Sequence, residues 1–181
     1  MKHLQKISSP IDDVFVYVRQ PIGDKRGAFE RFFCQEELHA FGFQGSIKQI
    51  NFSRTEKKGT IRGLHMQSSP SEEIKIVSCL KGEIFDIALD LRPDSETYNQ
   101  FFCEVLSETN RKTMVIPEGC AHGFQSLSDE VEMLYLHTHE YDPIAECGVF
   151  ALDDSLNIPW PLDVTIMSER DQLLPKINKK L

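Results

Sequence analysis

The chain has 181 residues, enough for one domain with a sizeable core, and a formal net charge of −8. That charge argues against general binding to nucleic acid or to an anionic membrane surface, both of which call for a net basic face. Five cysteines, Cys34, Cys79, Cys103, Cys120 and Cys147, are scattered without a CxxC pair, which argues against a disulfide framework or zinc knuckle and fits a reducing, cytoplasmic setting.

The opening residues offer no apolar core of a signal sequence before the first acidic pair, and no run approaches about 18 consecutive apolar residues, so neither export nor a membrane span is expected. Strands are predicted over VFVYV (14–18), SIKQINFS (46–53), TIRGLHMQ (60–67), EIKIVSCL (73–80) and EIFDIALDL (83–91). They continue through FFCEVL (101–106), KTMVIP (112–117) and EVEMLYLHTHEY (130–141), all rich in β-branched and aromatic residues. Turn signals such as KKG, KG, RPDSETY, SETN and PEG separate them. Helical periodicity is confined to EELHAF (36–41) and to a capping-box pattern at Ser168 and Asp171. No internal repeat or low-complexity run divides the chain, so one all-β domain over 1–181 is expected.

Alternation along a strand sends successive side chains to opposite faces. It groups Ile61, Gly63, His65 and Gln67 on one face and Arg62, Leu64 and Met66 on the other. It also aligns Lys75 with Val77 and Cys79, Asp86 with Ala88 and Asp90, and Val131 with Met133, Tyr135, His137 and His139. Polar groups recurring on apolar strands suit a small-molecule pocket lined by a few convergent ionisable residues.

Each residue also has a plain structural explanation. A strand histidine such as His65 is often structural, Lys75 can form a solvated pair with Glu72 or Glu73, and Tyr135 can be a core aromatic. Asp171 can be the third residue of a cap, while Asp86 and Asp90 can face solvent at an edge. His137 and His139 have the spacing of two metal ligands on one strand face, but no third ligand or accompanying glutamate accompanies them on one hairpin.

Taken together, KGTIRGLHMQ, EEIKIV, KGEIFDIALDLRPDSETY, VIPEGCAHGFQSLSD, EMLYLHT and SLNIPWP resemble the dTDP-4-dehydrorhamnose 3,5-epimerase family. The resemblance runs in order from about Arg26 to Asp171. It implies a cupin-type jelly-roll barrel with short peripheral helices, acting on a dTDP-linked 4-keto-6-deoxyhexose without metal or other cofactor. It further implies a homodimer with strand exchange at the N-terminal region, and epimerisation at C3, C5 or both in deoxysugar or surface-polysaccharide synthesis. A non-catalytic cupin that merely binds a nucleotide sugar is the alternative from another class.

The same resemblance assigns roles. His65 matches the base, Tyr135 the acid, and Asp171 the carboxylate that orients the base; Lys75 and His122 match groups near the keto oxygen. Arg26, Gln49, Asn51, Arg62, Tyr141, Glu146 and Arg170 match nucleotide contacts. These residue types suit the reaction, because a hydrogen beside a ketone becomes acidic only when a base faces it and positive donors face the oxygen. Inversion then needs a second proton donor on the opposite side of the ring.

Some positions depart from the pattern. Arg31 stands where the family commonly has a substrate-contacting glutamate, which changes the charge at that nucleotide or partner-subunit contact, and Tyr135-Leu136-His137-Thr138-His139-Glu140 stands where the family commonly reads YKxTDY. Leu152-Asp153-Asp154-Ser155 replaces WDDP.

Overall fold

A computed structural model describes residues 3–177 of the chain. Residues 1, 2 and 178–181, the ends of the expected domain span, lie outside the described residues.

The elements begin with β1 (Leu4–Ser8), β2 (Phe15–Arg19), the short strands β3 (Ile22–Asp24) and β4 (Gly27–Phe29), and α1 (Gln35–His39). There follow β5 (Gln49–Thr55), β6 (Ile61–Gln67), β7 (Lys75–Lys81), β8 (Glu83–Asp90), β9 (Phe101–Ser107) and β10 (Lys112–Ile116). The series closes with β11 (Cys120–Ser126), β12 (Val131–His137), β13 (Glu146–Gly148) and α2 (Glu169–Gln172). All ladders between named strands are antiparallel. One sheet has the order β1-β2-β10-β7-β12-β5, a second has β13-β6-β11-β8-β9, and β3 pairs only with β4.

The chain is therefore all-β with short helices, but the expected barrel is not formed. The six-stranded sheet ends at β1 and β5 and the five-stranded sheet at β13 and β9, so no sheet closes on itself. Alternating apolar and polar residues specify which face a strand buries; they carry no information on whether its free edge meets another strand. After β5 the chain crosses at residues 56–60 into the other sheet instead of extending the ladder.

The two sheets clamp a core that includes Val77, Cys79, Met114, Ile116, Val131 and Met133 from one and Ile84, Ala88, Leu106, Cys120 and Phe124 from the other. The outer face of the six-stranded sheet buries Tyr17, Ile76, Val115 and Leu136 under Leu38 and Phe43. A helix as short as α1 has little stability of its own, so burial of Leu38 holds it there. On the outer face of the five-stranded sheet, Phe85, Ile87 and Leu89 pack with Val149, Ala151 and Leu156, and Trp160 meets Phe85 edge to face.

Strand β11 gives little strand signal in the sequence because Cys-Ala-His-Gly-Phe-Gln-Ser is polar and glycine-containing, yet all seven residues are buried. Its polar groups find partners instead of water: Gln125 bonds the backbone of Leu162, and the Ser126 hydroxyl donates to the Lys57 carbonyl.

Regular alternation fails at one informative place. β6 pairs His65 with His122 and Arg62 with Phe124, so Gly63 and Leu64 on one strand stand against Gly123 alone on the other. This β-bulge brings Arg62 onto the same face as His65, against the strict alternation read from the sequence. Gly63 occupies the bulge at φ +112, and a Cβ there would lie 2.6 Å from both the Gly123 Cα and the His122 carbonyl oxygen. Gly63→Ala should therefore lower unfolding stability by about 1–3 kcal/mol. Urea unfolding checks this; an unchanged midpoint would show that the bulge tolerates a side chain.

Candidate active site

Between the sheets lies a cavity of about 670 Å³. Arg62 and His65 on β6 and His122 on β11 form one wall; Lys75 on β7, Tyr135 and His137 on β12, and Gln49, Asn51 and Ser53 on β5 form the other. Glu146, Arg170 and Asp171 complete the lining from β13 and α2.

Asp171 is buried and ties the two ends of this construction together. Its Oδ1 lies 2.9 Å from His65 Nε2, and its Oδ2 accepts the Gly63 N–H freed by the bulge at 3.0 Å. Its own N–H donates to the Ser168 hydroxyl at 3.1 Å, so the cap uses the Asp171 backbone and leaves its carboxylate free to bond His65. Burial works against its negative charge, but the hydrogen bonds from His65 and the Gly63 N–H outweigh it and hold the carboxyl below its ordinary range. His65 Nε2 also lies 3.2 Å from Arg170 Nη2, so Nδ1 is the His65 nitrogen with no hydrogen-bond partner among the described residues.

A second imidazole is held in the same way. His122 Nε2 lies 2.7 Å from Asp86 Oδ1, and Asp86 is fully buried with its other oxygen unpaired among the described residues. Burial pushes the Asp86 pKa up against the pull of His122. Neither Asp86 nor Asp90 faces solvent, as an edge position would have required: Asp90 is also buried, accepting bonds from Arg92, Ser95 and Thr97.

Lys75 is likewise buried and not part of a solvated pair. Its Nζ is 3.2 Å from Glu73 Oε1 and donates to the His65 carbonyl at 2.9 Å. An ammonium has three donors, so one has no partner among the described residues. Tyr135 packs against the inter-sheet core, its hydroxyl 3.2 Å from Ser53 Oγ and its ring edge-on to His122 at 6.1 Å. Burial pushes its phenol up to about 12, which keeps it protonated, hence able to donate, across the neutral range.

Further along the rim, Arg170 makes bonds of 2.6 and 2.9 Å to the two Glu146 oxygens, and the Tyr141 hydroxyl donates to Glu146 at 2.6 Å. Arg62 donates to Thr55 and to the Arg54 carbonyl and has no carboxylate partner among the described residues. Arg26 and Arg31 do not reach this cavity. Arg26 is exposed in the β3–β4 turn and paired with Asp24, and Arg31 is held 2.6 Å from Glu37 beside α1.

The two histidines spaced like metal ligands part company, because β12 ends at His137. His139 is in the following turn, its Nδ1 2.8 Å from the Glu140 carbonyl oxygen, while His137 faces the cavity. Among the described residues no group of three His, Cys, Asp or Glu side chains is arranged to hold a metal ion. Ser53, and Glu73 as a cavity group, were not singled out by sequence. The i, i+2 spacing of Glu73 from Lys75, and of Ser53 from Asn51, is the sequence signal that could have found them.

Fold and cavity together define an all-β protein with convergent acid–base groups: three imidazoles, His65, His122 and His137, each held by a carboxylate, and a buried phenol. Residues 8–179 match the family described as dTDP-4-dehydrorhamnose 3,5-epimerase. A dTDP-4-dehydrorhamnose 3,5-epimerase of Shigella flexneri is 39% identical over 166 residues, covering 91% of each chain. The crystal structure of the Bacillus anthracis enzyme with TDP and PPi bound superposes with a TM-score of 0.93 at 33% identity, covering 96% of this chain and 99% of the other. The Legionella pneumophila enzyme in complex with dTDP-4-keto-L-rhamnose gives a TM-score of 0.88 at 36% identity, covering 97% of this chain and all of the other (100%). This chain belongs to the dTDP-4-dehydrorhamnose 3,5-epimerase family.

The geometry of Asp171 sets a pH dependence of stability. Its folded pKa is depressed, so its contribution is present above the unfolded value of about 3.9 and is lost as pH falls through the folded value. Asp171→Asn should flatten the acid side of the stability curve below about pH 4. Denaturant midpoints measured across that range check it; parallel acid limbs in the two proteins would contradict it.

Proposed function

We propose that this chain epimerises a dTDP-4-keto-6-deoxyhexose at C3, C5 or both, through an enolate, in deoxysugar synthesis. It is an isomerase, in keeping with its family. The observation that carries the mechanistic reading is the opposition of His65 and Tyr135 on different sheets across one cavity.

His65, its other nitrogen held by Asp171, removes the proton beside the keto group. Lys75 supplies its uncommitted donor to the oxygen as negative charge develops there, with His122 beside it; such donors act strongly where water is excluded. Tyr135 then returns a proton from the opposite sheet, giving inversion without rotation of the sugar. Arg62, having no carboxylate partner, is the cavity group that meets the diphosphate, while Gln49, Asn51, Tyr141, Glu146 and Arg170 contact the nucleotide.

Proton nuclear magnetic resonance of dTDP-4-keto-6-deoxyglucose in heavy water tests this and reports which carbon exchanges. His65→Ala should slow exchange by about 10²–10⁴-fold, the usual contribution of a general base. Tyr135→Phe should retain exchange but lose inversion. Wild-type protein that binds the nucleotide sugar without deuterium wash-in would favour a non-catalytic binder.

The proposal extends to a homodimer, formed by one domain spanning 1–181 and working in the cytoplasm. Exposed apolar side chains on the hairpin and an edge strand support the dimer, and free thiols suit a reducing compartment. Ile22 and Phe29 are exposed on the β3–β4 hairpin, as are Ile50 and Phe52 on the edge strand β5. All five cysteines are free. No helix among the described residues is long and apolar enough to cross a membrane. In the dimer the hairpin carries Arg26 to the partner's cavity, where the diphosphate exchanges for Asp24. Arg26→Ala should then weaken dTDP binding by about tenfold, the value of one charged hydrogen bond. Sedimentation and calorimetric titration check this; a monomer, or unchanged affinity, would remove the hairpin from the site.

A further inference from the structure

The cavity contains a pair that the reaction scheme above leaves unused. His137 Nδ1 lies 2.6 Å from Glu73 Oε2, and the His137 ring stacks on Tyr135 with centroids 6.2 Å apart. Both residues are buried.

Their bonds continue in both directions. The Tyr141 N–H donates to Gln49 Oε1 at 3.0 Å, Gln49 Nε2 donates to Asn51 Oδ1 at 3.1 Å, and Asn51 Nδ2 is 3.3 Å from His137 Nε2. On the other side Glu73 Oε1 meets Lys75 Nζ, and Lys75 also donates to the His65 carbonyl. Donor direction is consistent at every link. An amide NH₂ can only donate, so Nε2 accepts from Asn51 and the ring proton sits on Nδ1, facing Glu73. Glu73 is the common acceptor at which the bonds from His137 and Lys75 meet. Burial opposes its charge, but His137 and Lys75 keep its pKa below the ordinary glutamate range.

We propose that Glu73 and His137 are positioning residues that join the nucleotide contacts Gln49 and Asn51 to Lys75, setting the ammonium where the enolate oxygen forms. This rests on the role of Lys75 given above. The chain of bonds reaches from the Tyr141 end of the cavity to the strand that carries His65, with each link fixed by its neighbours. Removing the carboxylate charge takes away the anion paired with the Lys75 ammonium and leaves one amide oxygen where Lys75 and His137 now use two, and replacing His137 breaks the link to Asn51.

The test compares the full-length wild type with Glu73→Gln, His137→Phe and the double variant. Phenylalanine keeps a ring against Tyr135 while removing both nitrogens. Each single change should lower kcat for solvent deuterium exchange by about tenfold, as expected for a displaced catalytic group. In Glu73→Gln, dTDP affinity should hold, which also reports a folded site. The double variant should fall no further than the worse single, because both cut one chain. Wild-type kcat in either single, or losses that multiply in the double, would overturn the proposal.

Nitrogen-15 resonances of the His137 ring in the resting wild-type protein give a reading independent of activity. A proton on Nδ1 is expected, and one on Nε2 alone overturns the chain. Absence of exchange in the wild type would instead count against the epimerase reading and leave this ring measurement to judge the chain.

Discussion

The carboxylate of Asp171 joins three parts of the molecule that are distant in sequence. It accepts the N–H left open by the β6 bulge and a bond from the His65 ring, while its backbone is capped by Ser168. A bulge without that acceptor would leave a buried donor unsatisfied, at a cost of about 1–3 kcal/mol. A four-residue helix without the cap and the side-chain anchor would have little reason to stay in place. Chain placement and the orientation of the His65 ring therefore depend on the same few atoms.

The bulge has a further effect. By inserting one residue into β6 it brings Arg62 and His65 to one face, so a permanent cation and a titratable imidazole enter one cavity from neighbouring positions. Strict alternation would have separated them. Gly63 is what permits this, since any Cβ at its conformation would meet the backbone of β11.

Charge within the cavity is arranged in pairs that leave selected groups free. Glu146 takes up Arg170, Glu73 takes up Lys75 in part, and Asp171 and Asp86 each hold a histidine. Arg62 stands apart from this pairing, so a chain of net charge −8 still keeps in its cavity a cation with no carboxylate partner among the described residues. Asp171 and Glu73 are tolerated as buried charges because each accepts more than one hydrogen bond, whereas Asp86 has His122 alone and burial pushes its pKa up.

Sequence alone determined the strands with strong alternation, the face shared by Lys75, Val77 and Cys79, and that shared by Met133, Tyr135 and His137, because period two is a local property of a strand. Its ordered motifs also led to the family. Strands β1, β11 and β13 and the β3–β4 hairpin were not legible, since they are short or polar and owe their form to partners elsewhere. Only the tertiary structure decided that the sheets stay open, that Arg62 joins His65, and that Glu73 and His137 enter the cavity as a bonded pair. It also placed Arg26 and Arg31 outside the cavity of their own chain. Each of these depends on which edge meets which strand and on which buried donor finds an acceptor, and neither is encoded in the spacing of residues along a single strand.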